Sequence, residues 1–184
     1  MILIINLCKE KLHYYEFVKP VEDILKDKGI KFFTKNYRKI SEADLKKSDK
    51  IIICGTSLME WSYLNDANFP KFNWIKDFDK PILGICAGMQ IIIKMFGGRI
   101  IFHREEIGFH NVKFTKEFLG VGGKISAYEL HRFGVKKIRK NFIPYATSNK
   151  GIQAIKHRTK KIYGVLFHPE VRNKDIIANF CTNA

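Results

Sequence analysis

The segment Pro81–Gln90 constrains the fold more than any other part of the chain. Its sequence, PILGICAGMQ, is a short apolar run that passes through G-x-C-x-G into an apolar helical pattern. A strand that turns this sharply into a helix needs glycines, because the neighbouring chain comes close. The arrangement is typical of a nucleophile elbow, here with cysteine as the nucleophile. It predicts a parallel sheet with Cys86 at the carboxyl end of a strand, where the sites of α/β proteins lie.

The same turn predicts how Cys86 could act chemically. A side chain at a helix N-terminus lies in a partial positive charge, which favours the thiolate form of cysteine. The backbone N–H of Ala87 would then point to the place where an oxyanion forms. The alternative is a buried cysteine in a tight turn, and the joint occurrence of strand, glycine spacing and helix disfavours it.

The order of short apolar runs predicts the rest of the fold. In the first half they alternate with helical patterns, which indicates a parallel sheet with helices on both faces. Ser41 and Asp44 form a capping-box pattern at the start of one helix. The second half contains short strand patterns with little helix between them, at Arg99–Phe102, His110–Thr115, Ser126–His131, Tyr145–Ser148, Gly151–His157 and Lys161–Phe167. We therefore expect a doubly wound, mostly parallel α/β sheet with an antiparallel extension, in one domain spanning residues 1–184.

Composition excludes several other classes of protein. The four cysteines are far apart and form no C-x-x-C pair, and the histidines form no metal-ligand pattern. These observations predict a reduced cytoplasmic protein without a metal or a cofactor. No apolar run approaches the length of a membrane span, and no signal peptide is expected. The net charge of +15 comes from dispersed basic residues, so we do not expect nucleic-acid binding as a main role.

A nucleophilic cysteine needs a base, and the segment GVLFHPE supplies a candidate. Pro169 biases His168 towards an extended conformation. Residues two apart in an extended chain point the same way, so Glu170 can hold the imidazole of His168 in one tautomer. The alternative for this segment is a core histidine at a strand end. Together with the elbow, the segment predicts a Cys86–His168–Glu170 triad.

These motifs resemble those of the class I, triad-type glutamine amidotransferases. GICAGMQ is similar to the family's G-x-C-x-G-x-Q, and GVLFHPEV is similar to its G-x-Q-F-H-P-E motif. IIICGTS occupies the place of the family's Ser-Gly-Gly-Pro loop, and YELHRF that of a Ser-His or Asn-His pair. The segments GIQAIKH and KIYGVLFHPEV most resemble the glutaminase subunit of archaeal-type GMP synthase. The resemblance covers nearly the whole chain and implies a flavodoxin-like fold.

The resemblance implies a role for each matching residue. Cys86 would attack the side-chain amide of glutamine and form a glutamyl thioester. His168 would transfer protons and Glu170 would orient it. The oxyanion donors would be the N–H groups of Ala87 and Thr56, and the residues implied at the substrate are Gly55, Gln90 and His131. Because the chain has no P-loop motif and no room for a synthetase domain, the ammonia would pass to a separate ATP-dependent synthetase subunit.

Three positions depart from the family pattern. Thr56 stands in place of the second loop glycine, Leu130 in place of Ser or Asn, and Leu166 in place of Gln. Two alternatives therefore stay open beside the glutaminase subunit. One is a stand-alone hydrolase of γ-glutamyl amides or peptides on the same scaffold. The other is a catalytically inactive regulatory or binding module, which the intact triad disfavours.

Overall fold

The computed structural model describes residues 1–65 and 67–184, without the side chains of His103 and Arg104. The strands are β1 (Ile2–Asn6), β2 (Phe32–Asn36), β3 (Lys50–Ile53), β4 (Ile82–Ile85), β5 (Arg99–Phe114), β6 (Lys124–Lys137), β7 (Phe142–Ser148), β8 (Gly151–His157) and β9 (Ile162–Val165). The α-helices are α1 (Lys11–Phe17), α2 (Lys19–Asp27), α3 (Glu42–Lys47), α4 (Ala87–Met95) and α5 (Asp175–Asn183).

These strands form one mixed sheet in the order β2-β1-β3-β4-β9-β8-β7-β5-β6. The strands from β2 to β9 pair in parallel. The strands from β9 to β6 pair in antiparallel fashion. The predicted fold class is confirmed, although the antiparallel extension is as large as the parallel part.

Helices cover both faces of the parallel part. Along β1, Ile2 and Ile4 pack into the apolar cluster that contains residues of α1, α2 and α5. Leu3 and Ile5, which point the other way, pack into the cluster that contains most of α4. Burial on both faces explains why the central strands are continuously apolar rather than alternating. Within the described residues, no helix is both long and apolar enough to cross a membrane.

The capping box predicted from Ser41 and Asp44 is present. The Asp44 N–H donates to Ser41 Oγ, and the Ser41 N–H donates to a carboxylate oxygen of Asp44. These two reciprocal hydrogen bonds fix the start of α3.

The second half differs from the sequence prediction in one respect. The segments predicted as separate strands at Arg99–Phe102 and His110–Thr115 belong to the single long strand β5, except for Thr115, which lies just beyond its end. The segment predicted at Ser126–His131 is only the middle of β6, which pairs with β5. The register of this pair shifts between Phe102 and Glu106. Such a shift breaks the strict alternation of side chains, which is why one strand resembles two in the sequence.

Candidate active site

Three neighbouring parallel strands position the site. β3, β4 and β9 are adjacent in the sheet, so their carboxyl ends meet at one edge. Gly55 follows β3, Cys86 follows β4 and His168 follows β9. The topology thus brings together three segments that are far apart in the sequence, at the edge where α/β proteins place their ligands.

Cys86 lies at a strained turn between β4 and α4. Its φ is 47° and its ψ is −103°, and helix α4 begins at the next residue, Ala87. As the first helical residue, Ala87 has no intrahelical acceptor for its N–H. The turn is also crowded, because a Cβ atom on Gly88 would lie 2.3 Å from the carbonyl oxygen of Ile53. The glycine therefore allows α4 to pack against the end of β3, and this packing maintains the strained turn at Cys86.

His168 and Glu170 form the pair that the sequence suggested. His168 Nδ1 lies 2.7 Å from Glu170 Oε1, and both side chains are buried. The His168 backbone N–H donates to the carbonyl oxygen of Tyr128 on β6. This hydrogen bond attaches the chain after β9 to the antiparallel pair of β5 and β6. A carboxylate on Nδ1 leaves Nε2 as the nitrogen that can exchange a proton with the nucleophile.

The Cys86 thiol and the His168 imidazole meet at one backbone atom. Cys86 Sγ lies 3.7 Å and His168 Nε2 lies 3.4 Å from the carbonyl oxygen of Leu130. The three side chains Cys86, His168 and Glu170 are thereby connected in the order nucleophile, base and orienting carboxylate.

The surroundings of His168 favour its charged form. Burial lowers the pKa of His168, whereas the negative charges of Glu170 and Cys86 and hydrogen bonds to both raise it. The net result is a pKa well above the usual histidine value. A charged His168 at the carbonyl oxygen that also contacts Cys86 Sγ places a positive charge close to the thiol.

Gly55 lies against the imidazole. A Cβ atom at this position would be 2.6 Å from His168 Cε1 and 3.4 Å from Cys86 Cβ. Any larger residue would push the base away from the thiol. The structure thus places Gly55, expected from the resemblance to contact substrate, directly beside two members of the triad.

Thr56 is held by a carboxylate of its own loop. Its hydroxyl donates to Glu60 Oε2 at 2.6 Å. The other oxygen, Glu60 Oε1, accepts from the N–H groups of Lys9 and Glu10 at 3.1 and 2.8 Å. Glu60 therefore ties the loop after β3 to the segment that precedes α1. Thr56 does not adopt a positive φ.

Gln90 is fixed by two hydrogen bonds. The Tyr63 hydroxyl donates to Gln90 Oε1 at 2.8 Å, and Gln90 Nε2 donates to the carbonyl oxygen of Phe133 at 3.3 Å. Burial, followed by the nearby Cys86, raises the pKa of Tyr63 well above its usual value, so its hydroxyl remains a donor. The amide of Gln90 thus connects α4 to the loop after β3 and to β6.

A narrow pocket lies between that loop and β6. It is lined by Cys86, Gln90, residues 56–58, 60, 61 and 63 of the loop, and residues 130–133 of β6. Its cavity volume is about 10 Å³, roughly what one water molecule needs.

His131 belongs to a buried charged cluster next to this pocket. His131 Nε2 lies 2.7 Å from Glu129 Oε2 and 3.9 Å from Glu106 Oε2, and Lys150 Nζ lies 3.6 Å from Glu106 Oε2. Glu106, Glu129 and His131 bring ligand-type atoms within 4.8 Å of one another, a spacing that a metal ion could use. Lys150 supplies a positive charge to Glu106, one of the two carboxylates. The sequence did not reveal this cluster, because strand pairing joins Glu106 to His131.

Two of the three departures from the family pattern leave the triad untouched. Leu130 uses its backbone carbonyl at the site, which any residue supplies. Leu166 is buried in the apolar cluster on the α4 side of the sheet. Thr56 and Leu130 both line the pocket, so a change of residue at either position can alter its shape.

Sequence reasoning missed several residues of the pocket, including three with polar side chains. Glu60, Tyr63 and Arg132 all line it. Glu60 and Tyr63 lie in the irregular segment after β3, which has no periodic pattern, and Arg132 is one basic residue among many. Two aromatic residues between β3 and β4 differ in their surroundings. Phe72 is fully buried in the hydrophobic core, whereas Trp61 lines the pocket and is half exposed.

The fold and the site together define an α/β scaffold in which Cys86, His168 and Glu170 have the arrangement expected of a catalytic triad. The family pattern described as Glutamine amidotransferase class-I matches residues 14–183. This chain therefore belongs to the class I glutamine amidotransferases, and the resemblance stated from its motifs is confirmed.

Several relatives of this chain are GMP synthases or parts of them. The chain is 32% identical over 149 residues to the glutamine-hydrolyzing GMP synthase of Thermotoga petrophila, covering 77% of this chain and 29% of that protein. It is 42% identical over 110 residues to one subunit of the glutamine-hydrolyzing GMP synthase from Methanococcus aeolicus, covering 55% of this chain and 58% of that one. It is 39% identical over 115 residues to the corresponding subunit from Methanosphaera stadtmanae, covering 58% of this chain and 62% of that one. The chain thus spans less than two thirds of the length of these relatives.

Solved structures agree on the fold. A protein from Thermoplasma acidophilum, described as a GMP synthase subunit, superposes with a TM-score of 0.85 at 24% identity, covering 98% of this chain and 91% of that chain. A glutamine amidotransferase from Thermotoga maritima superposes with a TM-score of 0.74 at 22% identity, covering 95% of this chain and 77% of that chain.

Proposed function

We propose that this chain hydrolyses glutamine to glutamate and ammonia through a glutamyl thioester on Cys86. The single observation that carries the proposal is the geometry of three side chains: Glu170 contacts Nδ1 of His168, and Nε2 of His168 and the Cys86 thiol both contact the carbonyl oxygen of Leu130. Family membership and the similarity to glutamine-hydrolyzing relatives support glutamine as the substrate.

The first half-reaction would acylate the enzyme. The Cys86 thiolate attacks the side-chain amide carbon of glutamine, and the N–H of Ala87 stabilises the oxyanion with the N–H of Thr56 as second donor. The C–N bond breaks as the His168 imidazolium gives its Nε2 proton to the leaving nitrogen, which departs as ammonia. The product on the enzyme is a glutamyl thioester with neutral His168 beside it.

The second half-reaction would return the enzyme to its starting state. Neutral His168 takes a proton from water through Nε2, and the hydroxide attacks the thioester carbon. The C–S bond then breaks and glutamate leaves. Cys86 is restored as a thiolate next to the imidazolium, which Glu170 stabilises throughout.

We further propose that a separate ATP-dependent synthetase subunit receives the ammonia. The relatives from Methanococcus aeolicus and Methanosphaera stadtmanae are themselves subunits of GMP synthase, which supports such a division of labour. The chain itself contains no P-loop motif. Residues 1–184 would act as one glutaminase domain in the cytoplasm.

The test is ammonia release from glutamine, measured with the chain alone and with an added synthetase component of GMP synthase. Stimulation of glutamine hydrolysis by the synthetase supports the glutaminase-subunit role. Full activity of the chain alone, combined with turnover of γ-glutamyl peptides, would instead favour the stand-alone hydrolase. No ammonia and no modification of Cys86 under any condition would leave only the inactive module.

A further inference from the structure

The hydroxyl of Tyr63 and the side-chain amide of Gln90 form a buried pair in the wall of the pocket. The Tyr63 hydroxyl donates to Gln90 Oε1 at 2.8 Å. Tyr63 is 4% exposed and Gln90 is 1% exposed. Both residues line the pocket together with Cys86. The pair is therefore shielded from solvent at the place where the substrate of the proposed reaction must lie.

Two side chains one turn apart on α4 hold the short turn that carries Tyr63. Gln90 and Lys94 are four residues apart, so they lie on the same face of the helix. Gln90 contacts the Tyr63 hydroxyl, and Lys94 Nζ donates to the carbonyl oxygen of Leu64 at 2.8 Å. The turn Ser62–Leu64 is thus attached to α4 at two points, which fixes the position of the hydroxyl.

The neighbours of Gln90 determine the orientation of its amide. Gln90 Nε2 lies 3.3 Å from the carbonyl oxygen of Phe133, an atom that can only accept a hydrogen bond. The Tyr63 hydroxyl stays protonated because burial raises its pKa well above the usual value, and it donates to Oε1. In the flipped orientation, two carbonyl oxygens would face each other and the hydroxyl would lose its acceptor. Tyr63 and Phe133 thus favour the same orientation.

One N–H of the Gln90 amide is left for a ligand. A primary amide carries two N–H donors, and among the residues that the structure describes only Phe133 accepts from Nε2. Gln90 follows Cys86 by four residues, which places it about 6 Å further along the axis of α4. A glutamine molecule spans about 5 Å between its two carbonyl carbons, at about 1.5 Å per bond. One oxygen of a glutamine bound at the thiol can therefore reach this N–H.

We propose that Tyr63 is a positioning residue for glutamine: its hydroxyl holds the Gln90 amide with one N–H turned into the pocket, where it donates to an oxygen of the substrate. This inference rests on the proposed function, since it concerns the same substrate at the same site. Tyr63 acts only through Gln90 and does not touch the reacting atoms. Without the hydroxyl the amide can rotate, so its donor is presented to the substrate less often.

The substitution Tyr63→Phe removes the hydroxyl and keeps the ring. Ammonia release from glutamine is measured with the wild-type chain, Tyr63→Phe, Gln90→Met and the double variant, with any activating synthetase present. Tyr63→Phe should raise KM for glutamine about 2- to 12-fold, the range that one hydrogen bond contributes, with kcat little changed. In the Gln90→Met background, which has no amide to orient, Tyr63→Phe should change KM by less than about 2-fold.

Tyr14 provides a matched control, because its hydroxyl also donates to a side-chain oxygen, Glu22 Oε1, at 2.6 Å. Tyr14 lies on α1, outside the lining of the pocket, and Tyr14→Phe should leave KM unchanged. Equal rises in KM for Tyr63→Phe in the wild-type and Gln90→Met backgrounds would show that Tyr63 only shapes the pocket by packing, and would overturn the inference. An unchanged KM for Tyr63→Phe, or a loss confined to kcat, would also overturn it, while the proposed glutaminase activity would stand.

Binding provides a readout that does not depend on turnover. Glutamine binding is measured by calorimetry with Cys86→Ala and with the Cys86→Ala, Tyr63→Phe double variant. Weaker binding in the double variant by a similar factor supports the role of Tyr63 even if the wild-type chain hydrolyses nothing. Equal binding by the two variants contradicts the role of Tyr63 alone. No glutamine binding by either variant contradicts the proposed function, and this inference with it.

Discussion

Glu170 Oε1 lies 2.7 Å from His168 Nδ1, and this buried contact determines which imidazole nitrogen faces Cys86. With Nδ1 engaged, only Nε2 can exchange a proton with the thiol or with a leaving group. In the proposed mechanism the two residues therefore have unequal roles: His168 transfers protons, and Glu170 orients the imidazole and stabilises its charge.

The first prediction follows from these unequal roles. His168→Ala should reduce glutamine hydrolysis by about 10²–10⁴-fold, because the proton-transfer group is lost. Glu170→Gln should reduce it less, because the imidazole remains although its charged form loses support. Steady-state ammonia release by the two variants, with circular dichroism to verify folding, measures this order. A smaller loss for His168→Ala than for Glu170→Gln would contradict these assignments.

The second prediction concerns the four cysteines. Burial raises the pKa of Cys8 and of Cys181 to about 12, and it raises the pKa of Cys54 well above the usual value. Cys86 instead lines the pocket and lies close to the imidazole of His168, which the proposed mechanism uses to transfer protons. A diazoketone analogue of glutamine should therefore label Cys86 alone, as measured by peptide mass spectrometry. Labelling of Cys8 or Cys181 at a rate similar to that of Cys86 would disprove this selectivity.

The third prediction concerns pH and stability. The pKa of His168 is raised on folding, so its stabilising contribution is fully present below about pH 6.5 and is lost as pH rises through the folded value. The difference in free energy of unfolding between wild type and His168→Gln should therefore shrink as pH rises from about 6 to 9. Denaturant unfolding of both chains at each pH measures this difference in free energy of unfolding. The contributions of titratable groups that both chains share cancel in the difference. A difference that grows with pH would mean that His168 is neutral in the fold.

Most of the architecture could be predicted from the sequence because it depends on local signals. The elbow at Cys86, the capping box at Ser41 and the apolar central strands each act through neighbouring residues. The length of the β5–β6 hairpin could not be predicted, because the register shift near Glu106 depends on pairing with a distant strand.

The triad could be predicted for a similar reason, whereas its surroundings could not. Cys86 and the pair His168 and Glu170 each lie in a short motif. The contacts of Leu130 with the triad use a backbone atom that leaves no mark in the sequence. The connection of Glu60 to Thr56 and to the chain before α1 depends on how an irregular loop folds.

The fourth prediction concerns Thr56. The pocket is narrow, and Thr56 is held by Glu60 in a conformation without positive φ. We expect that the loop must rearrange to present the Thr56 N–H to an oxyanion, and that a β-branched residue resists this change. Thr56→Gly should therefore raise glutamine hydrolysis by the chain alone, by up to the roughly 10²–10³-fold that one oxyanion donor contributes. With a synthetase partner present, the two chains should be similar.

Ammonia assays of both chains, with and without the partner, provide the comparison. Ser57→Gly is a matched control, since it adds flexibility one residue away without removing the β-branched side chain. The expectation that Thr56 resists the loop rearrangement is wrong if Thr56→Gly does not increase glutamine hydrolysis and the wild-type chain already hydrolyses glutamine as fast alone as with the partner.

The most direct test of the central claim is the detection of a glutamyl thioester on Cys86. The wild-type chain is mixed with glutamine, in the absence and in the presence of a synthetase partner, quenched in acid within one turnover and examined by intact and peptide mass spectrometry. We predict a mass increase of one glutamyl group on the Cys86 peptide, absent in Cys86→Ala and in His168→Ala. Release of ammonia without this adduct, or release that persists in Cys86→Ala, would contradict it.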